Sequence, residues 1–272
     1  MLTIMKRREF LKSSAALAAT TSIASSLGAS AAEPGKSVSR ELYELRLYHL
    51  RRGPMTKRFD DFYREAAVPA MNRAGLSPIG VFNVATGPDS PTMYVLIPHK
   101  TADSFITAND RVHADADYQK AGAEFINAPA TDPAYIRVES SLMAAFDSFP
   151  KIELPSTTAA KKPRLFELRT YESHSKKANK KKIEMFNQAE IGIFRRVGLA
   201  PVFFGETLVG TKLPNLTYMV AFEDMSDHDK KWAAFGADAE WQKLRSMPGY
   251  GDAEIVSNIT NFFLRPTAYS QI

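Results

Sequence analysis

The chain has 272 residues, no cysteine and a formal net charge of +5, so disulfides, thiolate metal sites and cysteine nucleophiles are excluded. Its 44% apolar and 24% charged residues are those of an ordinary globular protein that can bury a full core in one large or two small domains. The charge excess lies mostly at the start. Removing residues 1–31 takes away four basic residues and one acid, leaving +2 and no case for a nucleic-acid partner.

Residues 1–31 carry a basic stretch, an Ala-rich apolar segment and the small-residue end Ala29-Ser30-Ala31, the layout of an export signal. Arg7 and Arg8, followed by Glu9-Phe10-Leu11-Lys12, resemble the twin-arginine signature, with Lys6 in place of the usual Ser or Thr. Cleavage is expected near Ala31, and the protein is expected to be periplasmic or otherwise exported by that route. The stretch from Ser13 to Ala31 holds too many hydroxyls for a stable span, and no later segment is apolar enough to cross a membrane.

"YELRLYHL" at 43–50 returns 123 positions later as "FELRTYES" at 166–173. Alternation makes each a strand with two unlike faces. Tyr43, Leu45 and Leu47 share one face; Glu44, Arg46 and Tyr48 share the other, and Glu167, Arg169 and Tyr171 repeat it. Met55, Phe59, Phe62, Tyr63, Ala66, Ala70 and Met71 then follow a helical stripe, matched by Ile183, Phe186, Ile193, Phe194 and Val197. Gly75 and Gly198 stand just past these helices, where a left-handed C-terminal cap is favoured. "RAGLSP" and "RVGLAP", and "ADADYQK" and "ADAEWQK", repeat at the same offset, while Tyr94 matches Tyr218 after one added residue. The chain is therefore a duplication.

Each copy runs strand, helix, two strands, a second helical region and a last strand, the βαββαβ ferredoxin-like unit. The fold class is α+β, with two ferredoxin-like repeats closing into an intramolecular α+β barrel. The division is a signal over 1–31, a first repeat over 41–148, a Pro- and Lys-rich linker over 149–164 and a second repeat over 165–272. Burial of the Tyr43 face under the helices would turn the Glu44 face into the space between the sheets, as a ligand cavity or as an ionic seam across the barrel.

The paired "YELR-x-Y" and "FELR-x-Y" starts, the "GL-x-P" turns, the "DAEWQK" helix and the ending "FFLRPTAYS" resemble the NIPSNAP family. The resemblance implies membership of the dimeric α+β barrel superfamily, which includes cofactor-free monooxygenases, isomerases and haem enzymes, with ligands held between helices and barrel sheet. The copies differ where the second has Trp232 and Trp241 and the first has Asn109 and Tyr118, which speaks against two equal sites.

Arg46 and Arg169 are the candidate ligand contacts, because a guanidinium holds a carboxylate or phosphate in two-point fashion. Tyr48 and Tyr171 are candidate hydrogen-bond donors to the same ligand, and Glu44, Glu167 and His113 are candidate proton-transfer groups. The bland alternative is a structural or partner-binding protein with a filled barrel, in which each Glu pairs with an Arg across the barrel. None of the five histidines has a histidine at the matching position of the other copy, and none has metal-ligand spacing. No metal and no cofactor are expected, nor is there a GxSxG, a P-loop or a GxGxxG. The run Lys176, Lys177, Lys180, Lys181 and Lys182 is expected to be a solvated face. The expected partner is a small organic or anionic ligand, and the fused halves leave a homo-oligomer open. Replacing Arg7 and Arg8 together with lysine should leave the precursor uncleaved inside the cell, as read by immunoblotting of cell fractions.

Overall fold

The computed structural model describes residues 39–87, 91–160 and 162–272; Arg7, Arg8 and the cleavage site near Ala31 lie outside them. The first copy comprises β1 (Leu42–His49), α1 (Pro54–Phe62), α2 (Val68–Arg73), β2 (Gly80–Val84) and β3 (Thr92–His99). The helical segments α3 (Ala102–His113), α4 (Ala116–Ala121) and α5 (Ala123–Ile126) and the strand β4 (Arg137–Ala145) complete it. After α6 (Ser156–Ala159) the second copy repeats the order with β5 (Leu165–Glu172), α7 (Lys176–Met185), α8 (Ile191–Arg196), β6 (Ala200–Val209) and β7 (Asn215–Phe222). It ends with α9 (Met225–Ala237), α10 (Ala239–Arg245), α11 (Asp252–Ile255) and β8 (Asn258–Pro266). The strands close into one antiparallel barrel in the order β1-β3-β2-β8-β5-β7-β6-β4.

The repeated motifs are local structure. Gly75 and Gly198 adopt φ of 78° and 84°, where a Cβ would be strained, and end α2 and α8 as expected. Asp115 and Asp238 cap α4 and α10 and bind Arg73 (Nε–Oδ2 2.6 Å) and Arg196 (Nη2–Oδ1 2.8 Å). The shared "RxGL" and "ADA" motifs are thus a cap with its counter-ion, made twice. Between α1 and α2, and between α7 and α8, the helix widens into π-helical turns at Tyr63–Ala67 and Phe186–Glu190, again 123 residues apart.

Two expectations are corrected. Tyr43, Leu45 and Leu47 do not lie under the helices; they pack inside the barrel with Phe82, Leu168 and Phe203. The Glu44, Arg46 and Tyr48 face points outward to the helices, with Tyr48 against Phe59 and Tyr63. The physical reason is the width of an eight-stranded barrel, whose middle is filled by side chains such as Tyr43, Phe82, Phe166 and Phe203; a charge there would be buried away from water. The second correction concerns Tyr94 and Tyr218. Arg46 faces Val95 across the β1/β3 ladder and Arg169 faces Tyr218 across β5/β7, so the offset of 123 persists without an added residue. Tyr94 belongs to the barrel interior and Tyr218 to the helix side.

The lysine run is mostly paired. Lys176 and Lys180 both reach Glu206 (2.7 and 2.6 Å), and Lys181 reaches Glu184 (3.0 Å). Lys182 departs from the expected solvated face: it is 1% exposed, 3.3 Å from both Glu190 and Asp252, and ringed by Tyr171, Phe186 and Trp241. Burial pushes its ammonium toward the neutral form, but Glu190 and Asp252 outweigh that and hold it charged. In the first copy the places of Lys182 and Glu190 are taken by Phe59 and Ala67. Lys182→Met should therefore lower stability by about 3–5 kcal/mol by stranding Glu190. The pair Lys182→Phe with Glu190→Ala, which restores the first copy's residues, should cost far less in the same urea titration.

Candidate functional site

β1 and β5 each carry a carboxylate and a guanidinium two residues apart, and in a strand these point the same way. Glu44 therefore pairs with Arg46 on its own strand (Nε–Oε1 2.6 Å, Nη2–Oε2 2.8 Å), and Glu167 with Arg169 (Nη1–Oε1 2.6 Å). The pairing is along each strand, not across the barrel. Ser140 Oγ also donates to Glu44 (2.9 Å), while Asn261 Nδ2 and the Trp232 indole donate to Glu167 (3.0 and 2.8 Å). Burial alone would raise the Glu44 carboxyl, but the bonds from His99, Arg46 and Ser140 hold it down at about 2.

Each carboxylate also has a histidine, which comparison of matching positions misses. His99 sits on β3 with Phe105 from α3 edge-on to its ring (5.3 Å), and its Nε2 is 3.5 Å from Glu44. In the second copy Phe222 takes the His99 position and His228 the Phe105 position; their rings meet at 4.9 Å, and His228 Nε2 is 3.3 Å from Glu167. The two residue types have changed places, so the same corner holds the same pair. The signal was the reciprocal exchange at one offset.

Beyond the ion pairs the copies diverge. In the second, Trp232 lies over Arg169 (4.8 Å to the ring centroid) and edge-on to Phe194 and Phe235. With Trp241 and Phe235 this fills the space between helices and sheet. In the first copy the matching residue is Asn109, whose Oδ1 accepts from Arg46 Nη2 (2.9 Å). A cavity of about 180 Å³ remains there, lined among others by Arg46, Tyr48, Tyr63, Asn109, His113 and Tyr118. Arg46 Nη1 makes no hydrogen bond to a described residue. His113 is exposed and stands at the rim, its ring 6.2 Å from that of Tyr118.

The structure thus brings Arg46, Tyr48 and His113 to one cavity and keeps Glu44 behind Arg46. Arg169, Tyr171 and Glu167 lie in the filled copy, where Arg169 Nη2 donates to Tyr171 Oη (3.2 Å) and Tyr171 Oη lies 3.0 Å from Tyr218 Oη. Tyr63 and Asn109 are not among the ligand contacts expected from sequence, where Tyr63 belongs to the helical stripe and Asn109 marks a difference from Trp232; the structure brings both to the cavity. Among the described residues no three His, Asp or Glu side chains gather into a metal-holding group, and no helix is long and apolar enough to cross a membrane.

Two βαββαβ copies closed into one eight-stranded barrel, with an ionic strand face roofed by helices, place the chain in the α+β barrel class. A NIPSNAP family model matches residues 43–133 and 166–271, one match in each copy, and the chain belongs to that family. A protein from Fusobacterium nucleatum provisionally described as a monooxygenase shares the fold at TM-score 0.54 with 8% identity, over 84% of this chain and 93% of that one. A second such protein, from Lactobacillus acidophilus, gives TM-score 0.55 with 7% identity, over 84% and 94%. A NIPSNAP-like domain protein from Burkholderia xenovorans is 22% identical at TM-score 0.36, covering 39% of this chain and 88% of that chain. No curated protein matches.

The depressed Glu44 carboxyl sets a pH window. Its folded pKa lies below the ordinary 4.5, so the stability it contributes is complete above that value and is lost as pH falls through about 2. Glu44→Gln, which also leaves Arg46 without its buried counter-charge, should cost about 3–5 kcal/mol at neutral pH. Denaturant titrations of both proteins should show that difference shrinking as pH falls from 4.5 toward 2.

Proposed function

We propose that this is an exported ligand-binding protein that holds one small organic anion in the first-copy pocket between helices and sheet. The observation that carries the reading is Arg46: its Glu44 partner fixes the guanidinium, and one nitrogen is left over beside a cavity of about 180 Å³. Tyr48, Tyr63 and Tyr118 supply flat apolar walls with hydroxyl groups, and Asn109 and His113 add polar groups. The volume lies below the ~300–1,000 Å³ of typical ligand pockets, which favours a ligand of few heavy atoms. Copy two supports a single site, because Trp232 occupies the matching space.

The alternative is a cofactor-free monooxygenase or isomerase, favoured by the likeness to two proteins described as monooxygenases, which extends to the fold. A general base works best with a pKa near the operating pH. Glu44, held at about 2 and bonded on both oxygens, is poorly suited. Glu167 is fully buried under three donors, Arg169, Trp232 and Asn261, with His228 Nε2 3.3 Å away. Proton transfer would then fall to His113 or a pocket tyrosine.

Native mass spectrometry of the mature protein reads any retained molecule, and titration with acetate and benzoate, followed by NMR, probes the empty pocket. Saturable binding that disappears in Arg46→Met and in Asn109→Trp, but persists in Arg169→Met, is the expected result. No saturable binding of either anion and no retained molecule would overturn the reading.

A further inference from the structure

The barrel interior is not filled to both ends. The strands β1 and β5 run the same way round the ring, so at their C-terminal ends the two copies meet across one mouth. The first copy plugs its side with Leu47 and Tyr94; at the matching places the second has Thr170 and Thr217. Exchanging a leucine and a tyrosine for two threonines leaves a cavity of about 320 Å³. This space lies inside the sheet, on the opposite strand face from Arg46.

Its chemistry is two-sided. Leu47, Tyr94, Leu168 and Phe262 form an apolar floor, with Leu47 and Phe262 only partly buried. Around it stand hydroxyls: Thr170 and Thr217 bond to each other at 2.9 Å, which uses one of their two hydrogens, and Thr217 Oγ1 lies 3.5 Å from Asn215 Oδ1. Arg137 and His49 at the rim are tied to Glu139 (both 3.0 Å), so that group carries little net field. Lys212 differs. The polar partners of its ammonium among the described residues are Thr260 Oγ1 at 3.4 Å and Glu172 at 3.9 Å, both long for an ammonium.

Lys212 is also the one described non-glycine residue with positive φ, 58°, a conformation that costs energy in a lysine. The neighbouring turn enforces it. Asn215 Nδ2 donates to the carbonyls of Thr211 (2.9 Å) and Lys212 (3.1 Å), and Asn215 Oδ1 accepts from Thr207 (2.6 Å). A buried amide thus clamps a strained turn that brings a loosely paired ammonium to the mouth of a half-apolar cavity.

We propose that the barrel mouth is a second binding site, for a small amphiphilic monocarboxylate whose apolar body rests on Leu47, Tyr94, Leu168 and Phe262 and whose head group meets Lys212. Carboxylate and ammonium form a charge-assisted pair, and one hydroxyl of the Thr170–Thr217 pair donates to the free carboxylate oxygen while the other keeps the bond between them. The volume, at the low end of ligand pockets, limits the guest to a medium-chain or single-ring acid. The inference does not rest on the Arg46 pocket.

The probes are octanoate and its neutral counterpart octanol, titrated into the intact chain carrying Asn109→Trp, which closes the Arg46 pocket. Octanoate should bind, and Lys212→Asn, which tolerates the positive φ, should weaken it about five- to tenfold. Octanol should bind more weakly than octanoate to the Lys212 protein and should not respond to Lys212→Asn. Thr170→Leu and Thr217→Tyr, each importing the first copy's residue, should abolish both with an unchanged circular dichroism spectrum. If either fails to fold, the other carries that arm. No saturable octanoate binding up to about 10 mM overturns the site. So does octanoate binding that ignores the filling substitutions, and octanol binding as tight as octanoate overturns the role of Lys212.

Discussion

The middle of this eight-stranded closed barrel is packed with apolar side chains, and that limit places the charged groups of β1 and β5. Alternation gives β1 and β5 one apolar and one ionic face. Only the apolar face can be packed into a dry interior, so Glu44, Arg46, Glu167 and Arg169 must lie between sheet and helices. There the helices supply what the interior cannot, namely polar partners such as Asn109, Trp232 and His228. Each ion pair forms along its strand because two residues is the same-face repeat.

The duplicated frame then holds unlike contents. The caps Asp115 and Asp238, their arginines and the π-helical turns are preserved in both copies. The space over the arginines is not. Trp232 seals one copy, and Asn109 leaves a cavity in the other. Lys182 and Glu190 replace a phenylalanine and an alanine, converting an apolar contact into a buried ion pair. Inside the barrel the imbalance recurs, with Leu47 and Tyr94 opposed by Thr170 and Thr217. Duplication fixes the backbone positions, and single substitutions at matched places decide where space remains.

The repeat, the strand faces and the βαββαβ order were legible because they rest on local rules: period two in strands, helical stripes and glycine after a helix. Which face looked inward was not legible. Hydrophobic alternation separates two faces without naming the neighbour of each, and both the barrel interior and the helix layer accept apolar side chains. The Tyr94–Tyr218 match failed for a related reason: like residues were aligned by type, whereas the ladder keeps register by backbone bonds and puts the two rings on opposite faces.

The sequence alone determined the duplication, its offset, the α+β class and the candidate residues Arg46, Tyr48 and His113, since each follows from residue type and spacing. Tertiary structure decided that Arg46 faces the helices, that Glu44 is its fixed partner and not a free base, that His99 and His228 occupy one role from different elements, and that only the first copy keeps its pocket open. These are facts about which side chains meet across distant elements. Closure of the barrel, with its narrow dry interior, is what selects among the pairings that local pattern leaves equal.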